Sequence, residues 1–344
     1  MVAVRLRELV SSVPRLSLFG LAKNTGKTVA LGATVRELNA AGFVVGVTSV
    51  GRDGEATDAL DENIKKPSIY LPAGSIVATT AALLRKSALS REILAHTDFR
   101  TPLGHVVIAR VSAAGTVEVA GPSSIADVRV VCDEMTRHGA ERVVIDGALN
   151  RKAATSPLIA DGVILSTGAV LEWDLEAVVR ITRDAVDLLR LPEATDSTLR
   201  SLAARVRGAM LVTGDGTVPI ESEVALAGTP ERVKALFDAH PTGHCIIVGG
   251  ALCESFVENV RQAARSKGMR FVVGNSSKVF LSKRGLAWYR AQGIGIEVLK
   301  AARLSAITVN PVSPLSHRFD SRHFRESVAA AIPDVRVFDV VEAC

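Results

Sequence analysis

Apolar residues in this chain fall into short runs, which are separated by polar turns and by longer stretches with helical spacing. The runs that predict buried strands are 16–19, 43–50, 104–111, 142–146, 162–168, 210–213, 223–226, 245–250, 270–273, 306–310 and 335–340. Apolar positions repeat at helical spacing between several of them, as in 29–38 and 171–189. Because strand and helix alternate, the predicted fold is α/β, with a mostly parallel sheet flanked by helices.

Two further local predictions concern the middle of the first half. The pattern predicts a helix around 81–95, and it pairs the strand 104–111 with 116–119 across the turn at 113–115. The second pairing would form a hairpin at one side of the sheet.

The length of the chain predicts more than one lobe, since 344 residues exceed a usual single domain. The helical pattern is interrupted between 191 and 198, where Pro192 stands among polar residues. We therefore predict a first lobe over 1–191 and a second α/β lobe over 199–344, packed onto the first or completing it.

The stretch from Leu16 to Thr28 has the pattern of a phosphate-binding loop. A strand-forming run leads to Gly20, five residues follow, and Gly26-Lys27-Thr28 then opens a helix. Glycines let the backbone wrap around phosphate oxygens, and the helix start supplies amide donors. The predicted nucleotide-binding residues of the loop are Gly20, Lys23, Asn24, Thr25, Gly26, Lys27 and Thr28. The first lobe is thus predicted to be a P-loop nucleotide-binding domain.

Carboxylates after two strands complete the predicted site. Asp146 ends an apolar strand, as in a Walker B segment, and would share Mg²⁺ with the Thr28 hydroxyl. Asp53 and Glu55 follow the strand 43–50, where loops at carboxyl strand ends face the ligand crevice. We predict Lys27, Asp53 and Glu55 as catalytic residues and Thr28, Asp53 and Asp146 as metal ligands. A solvated polar loop would explain Asp53 and Glu55 equally well.

Composition narrows the function classes. The chain is 48% hydrophobic and 22% charged, which describes a folded protein with a substantial core. A net charge of +5 comes from dispersed Arg and Lys, so we expect no nucleic-acid partner. No long apolar segment predicts a membrane span, and four cysteines without metal-ligand spacing suit a reducing cytoplasm. A homodimer is compatible with these features.

A Cys–His site is the weaker alternative in the second half. Cys253 follows an apolar strand and a Gly-Gly pair, and His317 and His323 lie downstream. The spacing lacks the glycines on each side of the nucleophile that a nucleophile elbow requires. Packing of Cys253 at a helix start explains the pattern more simply.

The phosphate loop resembles that of dethiobiotin synthetase and its relatives in the class that includes the MinD-like ATPases. The shared feature is the longer spacing from Gly20 to Gly26, with Leu21 where the common pattern has its first glycine. In many of those relatives a second lysine reaches the phosphates, and Lys23 lies one place from that register. In several of them an asparagine after a late strand contacts the base, which implies a base-binding role for Asn310. Asn310-Pro311 is also an ordinary turn initiator.

A wider resemblance extends over nearly the whole chain. It rests on FGLAKNTGKTVAL, GVTSVGRDGE, TPLGHVVIARV, ERVVIDGALNRKA, ITVNPVSP and FDSRHF. In these motifs the chain resembles the P-loop subunit of lysine 5,6-aminomutase reactivase, found beside a MutS-like ATPase subunit. The resemblance implies an ATP-dependent chaperone that restores an adenosylcobalamin-dependent aminomutase.

Three hypotheses follow from the sequence. The chain is a partner-coupled NTPase, a ligase of dethiobiotin-synthetase type that phosphorylates a small carboxylate, or a nucleotide-binding scaffold without turnover. The expected cofactors are ATP and Mg²⁺, with GTP as the alternative. The absence of an Asn-Lys-x-Asp guanine motif favours ATP.

Overall fold

The computed structural model describes residues 6–51, 68–147, 152–221, 229–264, 268–281 and 284–339. The helices in these ranges are α1 (Leu6–Ser11), α2 (Lys27–Ala40), α3 (Ala81–Lys86), α4 (Ile125–Arg137), α5 (Leu175–Leu189), α6 (Ser197–Ala203), α7 (Pro230–Ala239), α8 (Glu254–Ala264), α9 (Leu286–Ala291) and α10 (Ser321–Ala331). Two short 3₁₀ helices cover Lys152–Thr155 and Ser276–Lys278.

Eighteen strands lie in the described ranges. The first nine are β1 (Arg15–Gly20), β2 (Val45–Val50), β3 (Ile69–Leu71), β4 (Ile76–Thr80), β5 (Ser90–Thr101), β6 (Gly104–Ala113), β7 (Gly115–Val117), β8 (Arg142–Gly147) and β9 (Gly162–Gly168). The others are β10 (Ala209–Thr213), β11 (Gly216–Ile220), β12 (Cys245–Val248), β13 (Leu252–Cys253), β14 (Met269–Val273), β15 (Val279–Phe280), β16 (Ile294–Val298), β17 (Leu304–Asn310) and β18 (Val337–Asp339).

The chain divides into two compact units. Unit 1 comprises Met1–Arg183 and Arg303–Cys344, and unit 2 comprises Asp184–Ala302. This division differs from the predicted lobes 1–191 and 199–344. The reason is that β17 pairs with β9 and β18 with β17, so the last part of the chain completes the sheet of unit 1.

Unit 1 is built on a nine-stranded sheet in the order β18-β17-β9-β1-β8-β2-β4-β6-β5. The seven strands from β18 to β4 are parallel, and β6 and β5 add an antiparallel edge. The predicted mostly parallel sheet is therefore confirmed. A separate antiparallel pair joins β3 and β7.

Helices cover both faces of this sheet, as the alternation of side chains along β8 shows. Val144 packs into the cluster that contains residues of α1 and α2, whereas Val143 and Ile145 pack with residues of α4. Successive side chains of a strand point to opposite faces, so the apolar residues 143–145 of β8 need cover on both faces of the sheet. This layered packing fixes the carboxyl ends of the central strands.

Two local predictions in unit 1 are wrong. The helix predicted over 81–95 ends at Lys86, and residues 90–101 instead form β5, which pairs with β6. Since β5 and β4 occupy the two sides of β6, the predicted hairpin with 116–119 does not form. Residues of β7 pair with β3 instead, and Ala88 donates its backbone N–H to the Thr116 carbonyl.

Unit 2 has a five-stranded sheet in the order β11-β10-β12-β14-β16. The strands β12, β14 and β16 are parallel, and β10 and β11 are antiparallel additions. Helices α7, α8 and α9 pack on one face, while α6 packs on the other. The strand predicted at 223–226 lies outside the described residues. Among the helices that the structure describes, none combines the length and hydrophobicity needed to cross a membrane.

Candidate phosphate-binding site

The predicted phosphate loop lies at the centre of the unit 1 sheet, where the direction of chain connections reverses. The strand β1 connects through α2 to β2, toward one edge, whereas β9 is followed within the sheet by β17, toward the other. Open α/β sheets bind ligands at the carboxyl ends of strands beside such a reversal. The loop from Gly20 to Gly26 follows β1 at this position.

Two left-handed residues shape the loop. Asn24 has φ 64° and Gly26 has φ 83°. The Thr25 hydroxyl donates to the Ala22 carbonyl at 3.0 Å, and the Leu21 backbone N–H donates to the Ser166 carbonyl of β9 at 3.0 Å. These bonds hold the loop in a tight arch over the end of β1.

Helix α2 begins directly after this arch. Gly26 occupies the N-cap position, and the Ala30 backbone N–H is the first to bond within the helix, to the Gly26 carbonyl at 2.9 Å. The first turn carries no acidic residue. The N–H groups of the first turn and the positive end of the helix dipole thus point toward the loop, an arrangement suited to an anion.

Lys27 binds the end of the neighbouring strand β8. Its Nζ lies 2.5 Å from Asp146 Oδ1 and 2.5 Å from the Gly147 carbonyl oxygen. The side chains of Lys27 and Asp146 are only 11% and 14% exposed. An ammonium that is largely buried needs oxygen partners. Asp146 pairs with Leu18 of β1 on one side and with Ser49 of β2 on the other, which places its carboxylate between these two strands.

Asn310 joins the loop from the other side. Its Nδ2 donates to the Asn24 carbonyl at 2.8 Å, and its Oδ1 accepts from the Val312 backbone N–H at 3.1 Å. A Cβ placed on Gly26 would lie 3.1 Å from Asn310 Cβ. The Asn310 amide therefore supports Asn24 in its left-handed conformation, and the Asn310 side chain makes position 26, itself at positive φ, tight for any side chain.

Other predicted residues take different positions. Thr28 is half-buried in the first turn of α2, and Lys23 is an exposed residue of the loop. Gly20 lies under the arch, where a Cβ would come within 2.8 Å of the Thr25 hydroxyl oxygen. Asp53 and Glu55 lie outside the described residues.

Sequence reasoning missed the contribution of β9. Gly168, which ends β9 and pairs in register with Asn310, lies so close that a Cβ would stand 3.2 Å from Thr25 Cα. Below it, the Ser166 hydroxyl bonds to the Thr308 hydroxyl at 2.8 Å. The sequence does contain Ser-x-Gly at the end of a predicted strand, but this pattern does not show which loop the glycine will contact.

The Cys–His alternative receives no support from the partners of these residues. Cys253 lies in β13 of unit 2, where it pairs with Phe280. In unit 1, His317 stacks on Trp173 with ring centroids 4.1 Å apart, and its Nε2 lies 2.7 Å from the Ala169 carbonyl oxygen. The backbone N–H of His323 is bound by the Asp320 carboxylate that caps α10.

No group of three or more His, Cys, Asp and Glu side chains that could hold a metal occurs in the described ranges. A nucleotide-bound Mg²⁺ needs no such group, since phosphates and water supply most of its ligands. Thr28 in the first turn of α2 and Asp146 beside Lys27 both carry the hard oxygen donors that Mg²⁺ prefers, so the chemistry of the residues present fits Mg²⁺.

No protein-family model matches the chain, and no curated protein matches it either. Among solved structures, one similar chain is described as "Structure of pNOB8 ParA bound to nonspecific DNA". The two share 12% identity over 93% of this chain and 98% of that chain, with a TM-score of 0.26. A TM-score of this size carries no argument about fold or function.

Proposed function

We propose that unit 1 is a P-loop NTPase domain that binds and hydrolyses a nucleoside triphosphate, with ATP the favoured nucleotide. The observation that carries this proposal is the placement of Lys27. Its ammonium stands at the start of α2, behind an arch of left-handed residues, beside the carboxylate of Asp146 on the adjacent strand. That is the arrangement a triphosphate requires: a cation, helix amides and a metal-binding carboxylate around one loop.

The residues would divide the work as follows. The arch from Gly20 to Gly26 would donate backbone N–H groups to the phosphates, and Lys27 would neutralise their charge. Because an ammonium has three donors, Lys27 can contact a phosphate oxygen while it keeps the Gly147 carbonyl. This exchange would release Asp146 to join Thr28 as a metal ligand.

Magnesium, when bound, would offset the negative charge that gathers on the phosphate oxygens. The attacking water needs a residue that orients it, and we assign this role to Asp53 or Glu55, in the segment that follows β2. The end of β2 pairs with the end of β8 through Val50↔Gly147, so this segment begins next to Asp146. Asn310, anchored to Asn24, would border the base.

The finer proposal is that hydrolysis serves a protein partner. The motif resemblance to the P-loop subunit of lysine 5,6-aminomutase reactivase supports it, and the suggested partners are a MutS-like subunit and the aminomutase. Hydrolysis would remove contacts between the γ-phosphate and the segment after Val50, and so change the affinity for such a partner. A dethiobiotin-synthetase-like ligase would use the same nucleotide site but would need a small carboxylate as co-substrate.

The experiment measures hydrolysis of ATP and GTP by the full chain with Mg²⁺, alone and with inactivated lysine 5,6-aminomutase and the MutS-like subunit. Stimulated turnover, accompanied by recovery of mutase activity and lost in Lys27→Ala, is the expected result. Turnover that is unaffected by these proteins and depends on a small carboxylate would replace this proposal with the ligase. Lys234→Ala serves as control, since Lys234 is an exposed residue of α7 paired with Asp238.

A further inference from the structure

The loops that follow β9 and β17 lie side by side at the carboxyl edge of the unit 1 sheet, where open α/β sheets bind ligands. Gly168 at the end of β9 pairs in register with Asn310 at the end of β17. The Ala169 backbone N–H donates to the Asn310 carbonyl at 2.9 Å, and the Asn310 side chain donates to the Asn24 carbonyl of the phosphate loop. Both loops therefore begin beside the phosphate loop, at the residue that would border the base.

His317 joins these two loops to each other. Its Nε2 lies 2.7 Å from the Ala169 carbonyl oxygen and 3.3 Å from the Glu172 carbonyl oxygen, both in the loop after β9. Its ring packs edge-on against Phe319 with centroids 5.6 Å apart, and Phe319 packs in the same way against Phe324, which is fully buried. The imidazole is thus fixed to the core of unit 1.

Trp173 stacks on this fixed imidazole but stays open to solvent. The centroids of the Trp173 and His317 rings are 4.1 Å apart, and the ring planes differ by 27°. The next residue, Asp174, accepts from the backbone N–H groups of Glu176 and Ala177 at the start of α5, which holds the chain on the other side of Trp173. Trp173 is nevertheless 65% exposed. An indole that is already held in place loses little conformational entropy when a flat ligand stacks on it.

The surface around Trp173 is apolar as well. Val312 and Leu315, in the loop after β17, are 45% and 59% exposed. The Val312 backbone N–H donates to Asn310 Oδ1, so this apolar surface reaches the Asn310 amide. A nucleobase combines a flat π face with polar groups at its edge, so it suits an indole beside an amide. A small polar ligand would gain nothing from this surface.

We propose that Trp173 stacks on the base of the nucleotide that binds at the phosphate loop, and that it favours purine over pyrimidine nucleotides. This inference rests on the nucleotide site proposed above. Asn310 contacts the edge of the base and Trp173 covers one of its faces. A purine has the larger π face, so it gains more from the stacking than a pyrimidine does. Trp173 thus adds affinity for the base and none for the phosphates.

Tryptophan fluorescence observes the stacking directly. The chain has two tryptophans, Trp173 and Trp288, and Trp288 lies in α9 of unit 2. The full-length Trp288→Phe variant therefore reports on Trp173 alone. Saturating Mg-ATP should quench its emission, whereas saturating inorganic tripolyphosphate, which has no base, should leave the emission unchanged. Emission that is the same with and without saturating Mg-ATP would overturn the proposal.

Affinities measured by calorimetry separate the base from the phosphates. Trp173→Ala should weaken Mg-ATP binding about tenfold, the loss expected for one base–aromatic stack, and should reduce the preference for ATP over CTP. Its affinity for tripolyphosphate should stay that of wild type, and Trp173→Phe should recover most of the ATP affinity.

Tyr70→Ala is the matched control, since Tyr70 is an aromatic residue of β3 in the same unit and is 54% exposed. It should bind ATP and tripolyphosphate as wild type does. Equal ATP affinity of wild type and Trp173→Ala would overturn the stacking and leave the nucleotide site standing, whereas a wild type that binds neither ligand would overturn both. Weaker tripolyphosphate binding by Trp173→Ala would also contradict the proposal, because the change would then act through the phosphate loop.

Discussion

The Nζ of Lys27 lies 2.5 Å from Asp146 Oδ1, so the first residue of α2 is tied to the carboxyl end of β8. Both side chains are largely enclosed, and each would be an unpaired charge without the other. The contact between Lys27 and Asp146 therefore stabilises the loop, and the same two residues belong to the proposed nucleotide site.

A double-mutant cycle on this pair should show strong coupling. Lys27→Met and Asp146→Asn each leave one partly buried group without its partner, so each single variant should lose roughly 1–3 kcal/mol in free energy of unfolding. The double variant should be less destabilised than the sum of the two, because no isolated charge remains. Denaturant unfolding of unit 1, followed by a probe placed in its sheet, measures all three. Additive losses would mean that the contact contributes nothing.

Gly26→Ala should damage both stability and nucleotide binding. Its φ of 83° disfavours any side chain, and a Cβ would lie 3.1 Å from Asn310 Cβ. We expect a loss of about 1–3 kcal/mol in unfolding free energy. The matched control is Gly32→Ala in α2, where a Cβ would meet nothing within 4 Å. That variant should gain about 0.5–1 kcal/mol and keep its nucleotide affinity. Equal behaviour of the two would contradict the geometry of the loop.

Asn310→Ala should weaken nucleotide binding without abolishing it. The change removes the bond to the Asn24 carbonyl and the acceptor for Val312, each worth about 0.5–1.5 kcal/mol. Asn24 would then lose its support in the left-handed region. Titration calorimetry with Mg-ATP should give a dissociation constant about tenfold higher. Asn259→Ala in α8 of unit 2 is the control, and an equal effect of both changes would argue against a role for Asn310.

Buried cysteines should make the protein less stable at alkaline pH. Burial raises the pKa of Cys132 to about 12 and that of Cys245 to about 12, from an ordinary value of 9.0. The unfolded chain therefore releases these protons at lower pH than the folded chain. Their contribution to stability is complete below pH 9 and declines as pH rises toward 12. The free energy of unfolding measured from pH 8 to 11 should fall, and less steeply in Cys132→Ala.

Burial also predicts that the thiols of Cys132 and Cys245 react slowly. At pH 8 neither Cys132 nor Cys245 carries appreciable thiolate in the folded protein, so both should resist alkylation until the chain is denatured. Rapid labelling of either thiol in the native protein would contradict their burial.

Periodicity predicted the sheet of unit 1 well because its central strands are buried on both faces. Residues 143–145 of β8 and 163–165 of β9 are apolar without interruption, and that pattern has few alternatives in an α/β protein. Residues 90–95 of the edge strand β5 were included in the predicted helix 81–95, and β5 lacks an apolar run because it carries five charged or histidine side chains from Arg91 to Arg100. Residues 90–101 form a strand because they pair with β6, and the local sequence does not encode this pairing.

The parts of the site that lie within one continuous segment were predictable from the sequence. Gly26, Lys27 and Thr28 form a contiguous motif, and Asp146 ends a clear strand. The contacts from Gly168 and Ser166 depend on β9 lying beside β1, which is set by strand order rather than by spacing. The return of residues 303–344 to unit 1 was also invisible to local patterns, because β17 contains an apolar run like those of the unit 2 strands that precede it.

The proposed binding of a nucleoside triphosphate by Lys27 is tested most directly by the equilibrium binding of Mg-ATP to the full-length chain. Wild type and Lys234→Ala should bind with the same dissociation constant, whereas Lys27→Ala should bind at least about a hundredfold more weakly, the effect of losing a buried charge contact to phosphate. Equal affinity of Lys27→Ala and wild type, or no binding by either, would show that this loop is not a nucleotide site.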